Sequence, residues 1–107
     1  MPPKNLEQLL KEFKSGLAAL YGSQLCGLYL FGSYARGEQD AESDLDVLII
    51  LTHYERYSTE IERTGDLVST LSLKYSISIS RKFITESRWI NLDSALLRNV
   101  RAEAIIA

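Results

Sequence analysis

Two stretches of the chain repeat apolar residues every three or four positions, the spacing of one face of a helix. The first repeat consists of Leu6, Leu9, Leu10, Phe13, Leu17 and Leu20, and the second of Ile61, Val68, Leu71 and Tyr75. Lys11, Glu12 and Lys14 take the other face of the first repeat. The pattern therefore predicts amphipathic helices over residues 6–20 and 58–75, with Gly65 as either a close-packing position or a weak point in the second.

Three other stretches have the shorter period of β-strands. Residues 25–31 are mostly apolar or aromatic, residues 44–51 contain a long apolar run, and residues 77–81 alternate isoleucine with polar residues. In the second strand Leu45, Val47 and Ile49 face one way, and Leu48 and Ile50 face the other. Both faces are apolar, so we expect this strand to be central and covered on both sides. Strands that alternate with helices predict an α/β (α+β) fold, a small mixed β-sheet flanked by helices.

The last third of the chain has weaker patterns. A short helical turn is predicted from Thr85 to about Ile90, and a last helix over residues 95–104. The apolar ending, Ile105-Ile106-Ala107, either adds a strand or docks on a partner. Four residues, Trp89, Ile90, Tyr54 and Tyr57, fit the core and a partner surface equally well. His53, the only histidine, is expected to be a surface residue.

Composition limits the class of protein. The chain has 107 residues, 46% of them hydrophobic and 24% charged, which predicts one domain over residues 1–107. The net charge of −2 makes nucleic acid an unlikely main partner. Cys26, the only cysteine, is predicted to be a small core residue in a reducing compartment. No apolar run approaches the roughly 20 residues of a membrane span, and no signal peptide is evident, so we expect a cytoplasmic protein.

The candidate chemistry lies between the first two strands. Gly32 and Ser33 end the first strand, where glycine permits a close backbone approach and serine opens a helical turn that attracts anions. Asp44 and Asp46 stand two apart at the start of the second strand, so their carboxylates should share a face. Together they predict a site for a metal-bound nucleoside triphosphate. Arg36 either reaches a phosphate or is solvated.

The sequence lacks the motifs of two other kinds of site, a Walker A phosphate-binding loop and the nucleophile elbow of a hydrolase. No Gly-Lys-Ser/Thr follows Gly32, so there is no Walker A loop. Ser33 lacks the G-x-S-x-G frame of a hydrolase nucleophile elbow. A lone Gly-Ser pair would be read as an ordinary turn, and the aspartates as solvated turn residues. The two elements together carry the functional interpretation.

Gly32-Ser33, ten intervening residues and Asp44-x-Asp46 resemble the signature of the DNA-polymerase-β-like nucleotidyltransferases. The residues of the two motifs, Gly-Ser-Tyr-Ala-Arg-Gly and Ser-Asp-Leu-Asp, are most similar to those of the minimal nucleotidyltransferases. These proteins are the antitoxin half of toxin–antitoxin pairs whose toxin is a helical HEPN protein. The resemblance implies the nucleotidyltransferase fold, ATP as substrate and transfer of AMP to a hydroxyl, a tyrosine of the HEPN toxin. It implies that Asp44 and Asp46 are catalytic Mg²⁺ ligands and that Gly32, Ser33 and Arg36 bind the nucleotide.

The chain departs from this family at one position. Active members usually carry a third carboxylate on the strand after the second helix, where this chain has serines. We predict that Ser78 occupies that position, with Ser80 as the alternative. A hydroxyl cannot replace a carboxylate as metal ligand and proton acceptor. This leaves a second hypothesis, a binding module that neutralises its toxin by complex formation, and a weaker third, a nucleotidyltransferase for small molecules similar to those that modify aminoglycosides.

Overall fold

Helices and strands alternate along the chain. The computed structural model describes residues 3–38, 40, 43–91, 98 and 105–106. The elements are α1 (Pro3–Tyr21), a 3-10 turn (Gly22–Gln24), β1 (Leu25–Phe31), α2 (Ser33–Arg36), β2 (Leu45–Leu51), α3 (Tyr57–Arg63), α4 (Gly65–Tyr75), β3 (Ile79–Thr85), α5 (Glu86–Asn91) and β4 (Ile105–Ile106). No helix in these ranges is both long and apolar enough to cross a membrane.

The strands form one mixed sheet in the order β3-β2-β1-β4. The neighbours of β1, which are β2 and β4, both run antiparallel to it. The pair β2 and β3 is parallel, and its crossover consists of α3 and α4. The predicted mixed α+β fold is confirmed. Of the two outcomes considered for the apolar ending, Ile105 and Ile106 add a strand, paired with Leu30 and Tyr29.

The two faces of β2 belong to two separate apolar clusters. Leu45, Val47, Ile49 and Leu51 lie in the larger cluster with Leu9, Phe13 and Leu17 of α1 and Val68 and Leu71 of α4. Leu48 and Ile50 lie in the smaller cluster with Phe31, Ile84 and Trp89. The prediction of a central strand covered on both sides is confirmed. On the second face, the described cover comes from the short helix α5.

The second predicted helix is broken into α3 and α4 at Thr64, a fully buried residue. The Thr64 hydroxyl donates a hydrogen bond to the Glu60 carbonyl at 2.9 Å. The same hydroxyl accepts one from Nε of Arg81 at 2.8 Å, and the Arg81 guanidinium also donates to the Ile61 carbonyl at 2.7 Å. This arginine on β3 therefore donates a hydrogen bond to a carbonyl group that the break leaves without a helical partner. The apolar repeat in the sequence continues through Thr64 and does not reveal the break.

Other predictions for strands, helices and burial also differ in part from the structure. The third strand begins at Ile79 and extends to Thr85, beyond the predicted 77–81, because Phe83 and Ile84 continue the buried pattern. The short helix after Thr85 is confirmed as α5. The prediction for Cys26 is wrong, because its side chain is exposed. The predicted last helix lies outside the described residues apart from Arg98, which is helical.

The aromatic residues left open divide between core and surface. Trp89 is buried and stacks at a tilt on Tyr29, with ring centroids 5.0 Å apart. Tyr54 is partly buried against the larger cluster. Tyr57 and Ile90 are 42% and 63% exposed, so these two retain the alternative of a partner surface.

Candidate functional site

The turn after β1 has the conformation that only glycine adopts readily. Gly32 has φ 76° and ψ −155°, a region nearly closed to residues with a side chain. Its carbonyl accepts hydrogen bonds from the N–H groups of Ala35 at 3.1 Å and Arg36 at 3.2 Å. These bonds start the helical turn α2 at Ser33, as the sequence predicted. Gly37, in the left-handed conformation, ends α2 after a single helical turn.

The carboxylate of Asp46 lies directly against the backbone of Gly32. The pairing of β1 with β2 places Phe31 opposite Asp46, so Gly32 follows immediately beyond that pair. A Cβ atom added to Gly32 would lie 2.3 Å from Oδ2 of Asp46. The glycine is therefore required twice, by its backbone angles and by the space that Asp46 occupies. This contact brings together two residues that stand fourteen positions apart in sequence.

The charge of Asp46 is only partly compensated. Burial and the neighbouring charge of Asp44 raise the pKa of Asp46, whereas Lys82, Arg36 and a hydrogen bond with Ser80 act to lower it. Asp44 precedes β2 and is exposed. Two carboxylates that repel one another, with oxygen as their donor atom, suit a hard divalent cation such as Mg²⁺, which often takes only one or two protein carboxylates.

The position beside Asp46 on β3 is Ser80. The parallel register pairs Asp46 with Ser80. Ser78 comes before the strand begins, and its carbonyl accepts the N–H of Leu45 at 2.8 Å. Of the two positions considered for the third carboxylate, Ser80 is therefore the one that pairs with Asp46, and the assignment of that carboxylate to Ser78 or Ser80 stays a prediction. Within the described ranges, no group of three or more His, Cys, Asp or Glu side chains is arranged to hold a metal ion.

Arg36 sits at the surface end of the turn. Its Nε lies 2.7 Å from Oε1 of Glu38, and both side chains are largely exposed. An exposed ion pair of this kind contributes little to stability. The guanidinium can therefore exchange Glu38 for a phosphate at small cost, so both alternatives weighed for Arg36 fit its position.

Lys82 lies on the same face of the sheet as Asp46, which the sequence did not reveal. It pairs with Leu48 in the parallel register, two residues beyond Ser80, and so shares the face of Asp46. Ending the predicted strand at Arg81 left this lysine outside it. By contrast, His53 is exposed beyond the other end of β2, as expected, where it lines a separate cavity of about 240 Å³ with Glu60 and Arg63.

Replacing Asp46 by asparagine should stabilise the protein in the absence of metal. The raised pKa means that folding disfavours the ionised form, so the charge lowers stability at pH values above the folded-state pKa. Asp46→Asn removes the charge and keeps an oxygen for Ser80. We expect the Tm to rise by a few degrees at pH 7, and Asp44→Asn, at an exposed position, to change it less. Thermal melts in EDTA measure both; a lower Tm for Asp46→Asn would contradict the prediction.

Comparison with known proteins agrees with this geometry. Residues 4–98 match the model of the nucleotidyltransferase domain family. A protein of Methanocaldococcus jannaschii named "Putative protein adenylyltransferase" is 41% identical over 73 residues, which are 68% of this chain and 73% of that protein. The chain therefore belongs to the nucleotidyltransferase domain family.

Solved structures share the fold. One, described as a "putative minimal nucleotidyltransferase", superimposes with a TM-score of 0.65 at 23% identity and covers 98% of this chain and 95% of that one. A chain from the crystal structure of a toxin–antitoxin with AMP-PNP superimposes with a TM-score of 0.56 at 19% identity, over 99% of this chain and 72% of that chain. The architecture is thus the nucleotidyltransferase fold.

Proposed function

We propose that the protein binds Mg²⁺–ATP and transfers AMP to a hydroxyl of a partner toxin, a tyrosine of a HEPN protein, and thereby acts as its antitoxin. The observation that carries the proposal is the Asp46 carboxylate packed against Gly32, with Asp44 beside it. The relative named as a protein adenylyltransferase and the fold shared with a chain of a toxin–antitoxin support the kind of reaction and partner.

Each site residue has a distinct part in this reaction. Asp44 and Asp46 would hold Mg²⁺, which supplies positive charge to the phosphates when it is bound. Gly32 and Ser33 give the nucleotide a backbone surface without an obstructing side chain at the glycine, and Arg36 would pair with a phosphate. The acceptor hydroxyl attacks the α-phosphorus and forms a new O–P bond, the bond from the α-phosphorus to the oxygen that bridges to the β-phosphate breaks, pyrophosphate leaves with that oxygen, and the hydroxyl proton passes to solvent.

The proposal predicts that the toxin becomes labelled. Incubation of the protein with ATP labelled at the α-phosphate, Mg²⁺ and its neighbouring toxin should label the toxin, and Asp46→Asn should reduce the rate at least a hundredfold because a metal ligand is lost. Asp66→Asn, an exposed aspartate in the first turn of α4, is the matched control and should label normally. Absence of label from the wild-type protein with either Mg²⁺ or Mn²⁺ would refute the transfer reaction.

A second function is favoured by Ser80. The acceptor hydroxyl must lose a proton during the attack, and a serine beside Asp46 is not a base at neutral pH. The domain would then neutralise its toxin by covering it, and the nucleotide site would serve binding alone. Rescue of toxin-inhibited growth separates the two. If the protein with both Asp44→Asn and Asp46→Asn is folded and rescues fully, covering is the mechanism; if rescue is lost, transfer is.

A further inference from the structure

The face of the sheet that bears Asp46 also carries a positively charged residue, Lys82 of β3. Ser80, Lys82 and Ile84 pair in register with Asp46, Leu48 and Ile50. Ile84, Leu48 and Ile50 pack in one cluster, which establishes that these alternate positions share a face. Lys82 therefore stands on the Asp46 face, one pleat beyond Ser80.

The Lys82 side chain is available for a ligand. It is exposed, and it forms no hydrogen bond or ion pair with any residue of the described ranges. On the same face, Trp89 and Tyr29 stack within the smaller cluster, and Tyr29 pairs in register with Leu48, the residue beside Lys82. Among the residues of β2 and β3 on this face, Asp46 and Lys82 are the two that carry charge.

The net charge of the side chains on this face differs from that of a site with three carboxylates. Three carboxylates carry a charge of −3, and holding a polyanionic triphosphate there takes two divalent ions in many phosphoryl-transfer sites. Here Ser80 is neutral and Lys82 is cationic, so Lys82 offsets one of the two aspartate charges and the three side chains together carry −1. A lysine is a common phosphate ligand because it brings a compact charge on a flexible stem.

We propose that Lys82 binds the phosphates of the nucleotide directly and supplies charge that a second divalent ion would otherwise bring. The inference rests on the proposed nucleotide site and assigns a residue to it. Its distinguishing property is that the contact does not pass through metal. The affinity for ATP should therefore depend on Lys82 whether or not Mg²⁺ is present, whereas the contribution of Asp46 should appear only with Mg²⁺.

Titration of a fluorescent ATP analogue, in EDTA and in Mg²⁺, tests the assignment. Lys82→Met should weaken binding about tenfold in both conditions, the usual effect of losing one charge-assisted hydrogen bond. Lys82→Arg should stay within about threefold of wild type because it keeps the charge. Lys11→Met, an exposed lysine on α1, is the matched control and should have no effect. Asp46→Asn should weaken binding only in Mg²⁺.

Three results would overturn the proposal, and they can be told apart. If Lys82→Met binds as tightly as Lys11→Met while Asp46→Asn weakens binding in Mg²⁺, the nucleotide site stands and Lys82 is not part of it. If the wild-type protein binds the analogue only with Mg²⁺, the lysine does not hold phosphates independently of metal. If the wild-type protein binds no nucleotide in either condition, the proposed function itself fails.

Discussion

Replacing Gly32 by alanine should abolish binding of Mg²⁺–ATP and lower the free energy of unfolding by about 2–3 kcal/mol. The new methyl group would lie 2.3 Å from Oδ2 of Asp46, so the carboxylate must move away from the place where it meets Asp44. The backbone must also hold alanine at φ 76° and ψ −155°. For a domain of this size the Tm should fall by about 10 °C or more.

Two other glycines separate the causes. Gly37 also has a positive φ, 72°, but a Cβ there meets nothing within 4 Å, so Gly37→Ala should cost only about 1 kcal/mol and leave nucleotide binding intact. Gly65 has open space and no positive φ, so Gly65→Ala should be neutral or stabilising. Isothermal titration with Mg²⁺–ATP and thermal melts measure the two effects. Normal binding by Gly32→Ala would show that the contact with Asp46 does not define the site.

Replacing Ser80 by aspartate should lower stability without metal and raise the affinity for Mg²⁺ about tenfold. Ser80 pairs directly with Asp46, so the new carboxylate would join Asp46 and Asp44 in one cluster of like charges. At saturating ligand a tenfold gain in affinity corresponds to about 1.4 kcal/mol. We therefore expect Mg²⁺–ATP to raise the Tm of Ser80→Asp by about 5 °C more than it raises that of the wild-type protein.

Ser78→Asp is the control, because this position precedes β3 and its carbonyl, not its side chain, is the group bonded to β2. Its ligand-induced shift in Tm should equal that of the wild-type protein. A larger shift for Ser78→Asp than for Ser80→Asp would mean that the register does not define the metal site. If Ser80→Asp also increases transfer of label to the toxin, the missing base is the reason for any weak turnover of the natural protein.

The sequence predicts the parts of the fold that depend on local pattern. The double-faced apolar run from Leu45 to Leu51 identifies the central strand, and both of its faces are buried as expected. The end of β1 at Gly32 follows from the residue itself, since no other type takes its backbone angles easily. The sequence thus predicts correctly the central strand and the end of β1, which depend on the residues themselves and on their near neighbours along the chain.

Features that depend on distant partners were missed. The break at Thr64 is satisfied by Arg81 from another strand, and no local rule anticipates such a partner. The register of β3 is also a property of two strands rather than one, so Ile77 and Ile79 fitted a strand that began too early. The predicted strand also ended too early, at Arg81, and so left out Lys82, which the register places on the face of Asp46.

The order of the strands gives the two halves of the site different mechanical properties. Asp46 is on β2, between β1 and β3, and its strand is held by hydrogen bonds on both edges. Ser80 and Lys82 are on β3, at one end of that order. Amide hydrogens of β2 should therefore exchange with solvent most slowly and those of β3 faster. In the proposed site, the Asp46 carboxylate would therefore be held more rigidly than the side chains of Ser80 and Lys82.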